Sequence, residues 1–112
     1  MLVMDIYKAV CLEKPDIETV RFFEYLNEAV RMLQNRFSGL QQKALSELDE
    51  EMTIGLYYQT AMIKYILARL AQEYNAYSLY MKEFELDAER ARRAGRRDKK
   101  KGARIYAPRG FQ

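Results

Sequence analysis

The residues best equipped for chemistry form one segment, Arg96-Arg97-Asp98-Lys99-Lys100-Lys101, followed by Arg104-Ile105-Tyr106-Ala107-Pro108-Arg109-Gly110-Phe111. Guanidinium and ammonium groups at this density neutralise phosphates or carboxylates on a partner, and that is binding chemistry rather than catalysis. A solvated charge run would need no partner, and a nucleic-acid arm would work through phosphate neutralisation alone. Neither role calls for an apolar, proline-fixed end. Tyr106 and Phe111, set among Arg104, Ile105, Pro108 and Arg109, instead suit a docking arm. Charge would steer the encounter, and the aromatic rings would fix register in a partner's groove.

Catalytic alternatives fail on composition. The chain has 112 residues, no histidine and a single cysteine, Cys11. That set builds neither the usual zinc sites nor a Ser-His-Asp or Cys-His constellation, and a Glu-x-x-His di-iron site is equally out of reach. The carboxylates Glu24 and Glu28, Glu47 to Glu51, and Glu83 to Asp87 fall where solvated helix faces and first turns belong. The glycines at 39, 55, 95, 102 and 110 are isolated, so no phosphate-cradling loop is present. No catalytic residue, metal ligand or cofactor is expected.

The charge is split along the chain. Residues 1–87 hold 9 Lys/Arg against 14 Asp/Glu, while residues 88–112 hold 10 against 2. An acidic body therefore carries a basic extension, an asymmetry that points to an electronegative partner. The length supports one small domain, marginal without a partner or further copies. One cysteine excludes an intrachain disulfide, and Cys11 reads as a small buried hydrophobe in a reducing compartment. No apolar run approaches the ~20 residues a bilayer requires, and the first residues lack the pattern of a signal peptide. A soluble, intracellular product is expected.

Periodicity supplies the elements. Leu2, Ile6 and Val10 predict a helix over 2–12, ended by Pro15, with Asp16 as the next N-cap. Val20, Phe23, Leu26, Val30, Leu33 and Phe37 step by three and four and predict a helix over 16–37. Gly39 suits the left-handed position after its end, with Leu40 folding back. Residues 40–48 read as a loop or a short turn. Ser46-Glu47-Leu48-Asp49 reads as a capping box at the start of a third helix from 49, with the acidic run on its N-terminus. That helix is apolar over a wide arc (Ile54, Leu56, Tyr57, Tyr58, Ala61, Met62, Ile63, Ile66, Leu67, Leu70 and Ala71). A seam of Leu70, Tyr74, Tyr77, Met81, Phe84 and Ala88 continues in phase. The spacing permits one helix from 49 to 94 or a break near Tyr74-Asn75-Ala76. The break lets the chain fold back over the apolar arc and is preferred. Gly95 is expected to end the last helix. The whole reads as an all-α protein, a small bundle of about four helices over 1–94 with an extended basic arm over 95–112. The helical tyrosines Tyr57, Tyr58, Tyr65, Tyr74, Tyr77 and Tyr80 are candidates for packing or a subunit interface.

Three parts of the chain together resemble a family: Phe23-Glu24-Tyr25-Leu26-Asn27-Glu28-Ala29-Val30-Arg31, Leu67-Ala68-Arg69-Leu70-Ala71, and the basic, aromatic, proline-bearing end. They resemble the head–tail adaptor proteins of tailed bacteriophages, also called head-completion or connector proteins. The resemblance implies a helical bundle with a break after Leu70-Ala71, assembled as a ring, expected to be dodecameric, under the portal. It implies a virion protein of the neck, made in the host cytoplasm, that extends the DNA channel and meets a tail protein (nozzle or tail-completion). DNA would pass without specific binding, no membrane would be involved, and an acidic channel wall would not grip it. The portal-binding arm would be Arg96, Arg97, Lys99, Lys100, Lys101, Arg104, Ile105, Tyr106, Pro108, Arg109 and Phe111. The competing reading is a small helical nucleic-acid-binding protein that uses residues 90–104 as its contact.

Overall fold

The computed structural model describes the backbone of residues 2–106 and the side chains of residues 2–95. It is all-α, a four-helix bundle: α1 (Val3–Glu13), α2 (Thr19–Arg36), α3 (Gln59–Leu70, led in by a 3-10 turn, Leu56–Tyr58) and α4 (Tyr74–Tyr106). Among the described residues, no helix is long and apolar enough to cross a membrane.

Pro15 does end α1, but Asp16 does not cap α2. The Ile17 N–H donates to the Lys14 carbonyl at 3.2 Å, which closes a turn over Pro15-Asp16. Proline is pre-set for the second position of such a turn. Helix α2 then starts at Thr19, and its buried face is Phe22, Tyr25, Leu26, Ala29, Val30 and Leu33. Val20, expected inside, is 77 % exposed, and Phe23 is only half-buried. The face is turned toward Tyr7 of α1, whose ring meets Phe22 edge-on at 4.9 Å. Cys11, expected inside, is likewise only partly covered.

Gly39 takes φ +94°, the left-handed conformation that a Cβ would strain. From Leu40 the chain runs back along α2 as an irregular strap. Gln34 Nε2 donates to the Gln42 carbonyl at 3.2 Å. Asn27 then holds Leu45 at both backbone groups: Nδ2 donates to the Leu45 carbonyl at 2.9 Å, and Oδ1 accepts its N–H at 2.9 Å. Leu45 is thereby buried against the core with its peptide polarity satisfied.

The capping box expected at Ser46–Asp49 is not formed; Glu50, one residue on, makes the bonds instead. The Glu50 carboxylate accepts the Ser46 and Glu47 N–H groups, each at 2.8 Å, and these bonds hold it below the usual carboxylate range. It thus closes a turn, and no helix begins there. The carbonyls of Glu50 and Leu48 accept the Val3 and Met4 N–H groups, each at 3.0 Å. The acidic run caps α1, forty-odd residues away in sequence, and not the segment that follows it. Helical structure resumes only at Leu56.

Helix α3 ends at Leu70, and Ala71-Gln72-Glu73 forms the turn, just before the expected site at Tyr74-Asn75-Ala76. The two helices return antiparallel, with Tyr65 edge-on to Phe84 at 5.4 Å and Lys64 paired to Glu83 at 2.7 Å. Helix α4 buries Phe84, Ala88 and Ala91. Tyr74 and Tyr77, expected in the seam, are exposed. At its other end α4 passes through Gly95 and runs to Tyr106. Arg, Lys and Ala propagate a helix well, and the two interior glycines, Gly95 and Gly102, cost only about 1 kcal/mol each. Periodicity is missing beyond Gly95, yet the helix does not stop there.

Asn27→Ala should destabilise the bundle by about 1–3 kcal/mol, leaving both Leu45 backbone groups without their protein partner. Urea denaturation measures the loss, and hydrogen exchange should show the Leu45 amide losing protection while α3 keeps its own.

Candidate partner-binding site

Arg96, Arg97, Lys99, Lys100, Lys101, Arg104, Ile105 and Tyr106 all belong to α4, so the backbone brings them together as one helical segment. Pro108, Arg109 and Phe111 lie outside the described residues. The expected arm is thus helical over its first part rather than extended.

The base of that segment is built from three elements. Where α4 leaves the bundle, Arg36, Phe37, Gly39, Tyr58, Arg92 and Gly95 surround a cleft of about 580 Å³. Phe37 meets the Tyr58 ring at 6.1 Å, and the Arg92 guanidinium lies 6.0 Å from the Phe37 centroid. Arg92 also grips Glu89 through Nε at 3.2 Å and Nη2 at 2.8 Å, which holds the Glu89 carboxyl below its usual range. Arg36 Nη1 reaches Glu85 at 2.8 Å. The charged side chains lining this cleft are therefore paired, Arg92 with Glu89 within it and Arg36 with Glu85 beside it.

The six tyrosines divide. Tyr58 and Tyr65 are buried inside this chain and present no contact surface to another copy. Tyr80 is half-buried against the core, beside Lys64 Nζ, 5.8 Å from its ring centroid. Tyr57, Tyr74 and Tyr77 remain exposed and available to a partner. Sequence reasoning missed the role of Glu28, which joins two helices: its Oε1 accepts the Tyr65 hydroxyl at 3.0 Å and Arg69 Nε at 2.9 Å. Arg69 in turn covers the Tyr25 ring, 4.9 Å from its centroid. The i, i+4 spacing of Tyr65 and Arg69 was the available signal.

Neither a family model nor a curated protein nor a solved structure matches this chain.

Burial, together with the bond to Glu28, pushes the Tyr65 hydroxyl up to about 12 from an ordinary 10.0. The folded chain keeps a proton that the unfolded chain releases first. This contribution to stability is therefore complete below pH 10 and is lost as pH rises towards about 12. Tyr65→Phe should remove part of that alkaline loss, measured as urea midpoints across this window. Tyr58, also raised by burial, should leave a residual slope.

Proposed function

We propose that this chain is a structural virion protein, a head–tail adaptor of a tailed bacteriophage, with no catalytic activity. It would form a ring under the portal, dock its C-terminal arm on the portal and join it to a tail protein. The observation that carries the reading is the run of α4 past the bundle. Among the described side chains its last buried one is Ala91, and the helix goes on to Tyr106, about 22 Å further at 1.5 Å per residue. A basic helix standing off an acidic body is the shape of a part that is inserted into something else. The two ends of the bundle differ accordingly. The basic segment leaves beside Phe37 and Tyr58, whereas the far end carries the α3–α4 turn and exposed Tyr74. One end suits the portal and the other the tail. The excess of carboxylates on residues 1–87 suits a channel wall that repels passing DNA.

A second reading draws on the same helix, since a continuous basic helix also fits a nucleic-acid backbone. The two separate by mutation. For the adaptor, Tyr106→Ala combined with Phe111→Ala should abolish decoration of purified portal rings in negative-stain images. Replacing Lys99, Lys100 and Lys101 with alanine should only weaken it. For the nucleic-acid reading the lysine variant should lose DNA binding, and the aromatic variant should be nearly unaffected. Tight, salt-sensitive DNA binding without rings or portal decoration would overturn the adaptor reading.

A further inference from the structure

At the end of the bundle opposite the α4 exit, a cleft of about 540 Å³ lies between α1, the first turns of α2 and the tip of the strap. Met4, Val20, Phe23 and Leu48 give it an apolar lining, and Glu47 and Asp49 give it an acidic rim. Among the described residues no basic side chain lines it. Asp5, Glu18 and Glu24, all exposed, adjoin the lining positions in sequence, and Arg21 is turned away towards the Tyr25 hydroxyl. Such a cleft selects a ligand with apolar side chains set between cations. This chain contains one: Arg104-Ile105-Tyr106-Ala107-Pro108-Arg109-Gly110-Phe111.

We propose that the cleft receives the C-terminal segment of a second copy of this chain, in a head-to-tail contact. The same molecule cannot fill its own cleft. Phe37 in α2 lies beside Arg92 in α4. Val20 is about 25 Å back along α2 from that point, and Tyr106 is about 21 Å beyond it along α4. Six residues, 107–112, span at most about 22 Å even when fully extended, roughly half the separation. The contact joins two different surfaces, so it propagates from copy to copy and closes only where the rotation between copies allows a ring. Ile105, Tyr106 and Phe111 supply the apolar anchors, while Arg104 and Arg109 meet Glu47 and Asp49. This contact stands apart from the portal reading, since an arm in a neighbour's cleft and an arm on a portal are alternative fates of the same residues.

The test uses two full-length variants. One blocks the cleft (Val20→Asp, Glu47→Lys and Asp49→Lys, all at exposed positions), and the other removes arm anchors (Tyr106→Ala and Phe111→Ala). Circular dichroism melts check that each retains the fold. Sedimentation velocity over a concentration series in low salt should show the unmodified chain associating. Each variant alone should associate more than about tenfold more weakly. An equimolar mixture should recover association but stop at dimers, because one sound arm meets one sound cleft. A monomeric unmodified chain, variants that still associate, or a mixture that stays monomeric would each overturn the proposal. Portal decoration is read on the same samples. It should survive in the cleft variant whatever the outcome here, so failure of this contact and failure of the portal reading are distinguishable.

Discussion

Helix α3 is the member on which the bundle depends. Ala61, Met62, Tyr65, Ile66, Leu67 and Ala68 are all buried, so the helix has almost no outside. It touches α1, α2 and α4 in turn. A helix apolar over so wide an arc cannot be left facing water, and every other element is arranged to cover it. The turn at Ala71–Glu73 folds α4 back over one side, α2 lies along another, and α1 closes the remainder. Among the described residues no charged or polar side chain is buried, so the interior is held by apolar packing. The ion pairs that join the helices, Glu28–Arg69, Arg36–Glu85 and Lys64–Glu83, sit at its edge. Each contributes little to stability at such exposure. Their use is to keep neighbouring helices in register.

What the strap adds is completeness of backbone bonding. The N-terminus of α1 has no side-chain cap, and its first amides are satisfied by carbonyls of residues 48 and 50. Those residues in turn depend on the turn closed by Glu50 and, further back, on Leu45 held by Asn27. The order of dependence runs from one amide side chain on α2, through an irregular segment, to the start of α1. The cleft beside Val20 and Phe23 owes its shape to that chain of bonds.

The helical class, the number of helices and most of their cores are legible in the spacing of apolar residues. Spacing reports that a helix has an apolar side, but not which of two adjacent apolar rows is covered. Val20 and Phe22 are both large and apolar, and it is Phe22 that meets Tyr7 of α1. That a carboxylate would meet free amides near Ser46 is visible as a local pattern. The box read at Ser46–Asp49 picks the wrong carboxylate, since Glu50 closes the turn. The amides its turn serves belong to α1, and long-range partners leave no trace in a local motif. Gly95 misled for a related reason: a glycine after arginines resembles a helix end, yet α4 continues. As for the site, the basic segment is plain in composition, whereas the exposure of Tyr74 and Tyr77, expected in the seam, is not. The cleft is not, because it is assembled from positions 4, 20, 23 and 48, which share no motif.

That α4 continues past Ala91 changes the thermodynamics of whatever the basic segment meets. Starting a helix is unfavourable, whereas extending one already formed is nearly neutral per residue. The packed half of α4, pinned at Phe84 and Ala88, serves as the nucleus, and the basic half grows from it as a templated extension. Ordering a residue's backbone costs roughly 1–2 kcal/mol, so a segment already ordered by its own body reaches a partner with most of that cost met beforehand. Cut free as a peptide, residues 96–112 would lose the template and have to build the helix at the partner's surface. The affinity of such a peptide would understate that of the intact chain, and the bundle that never touches the partner would account for the difference.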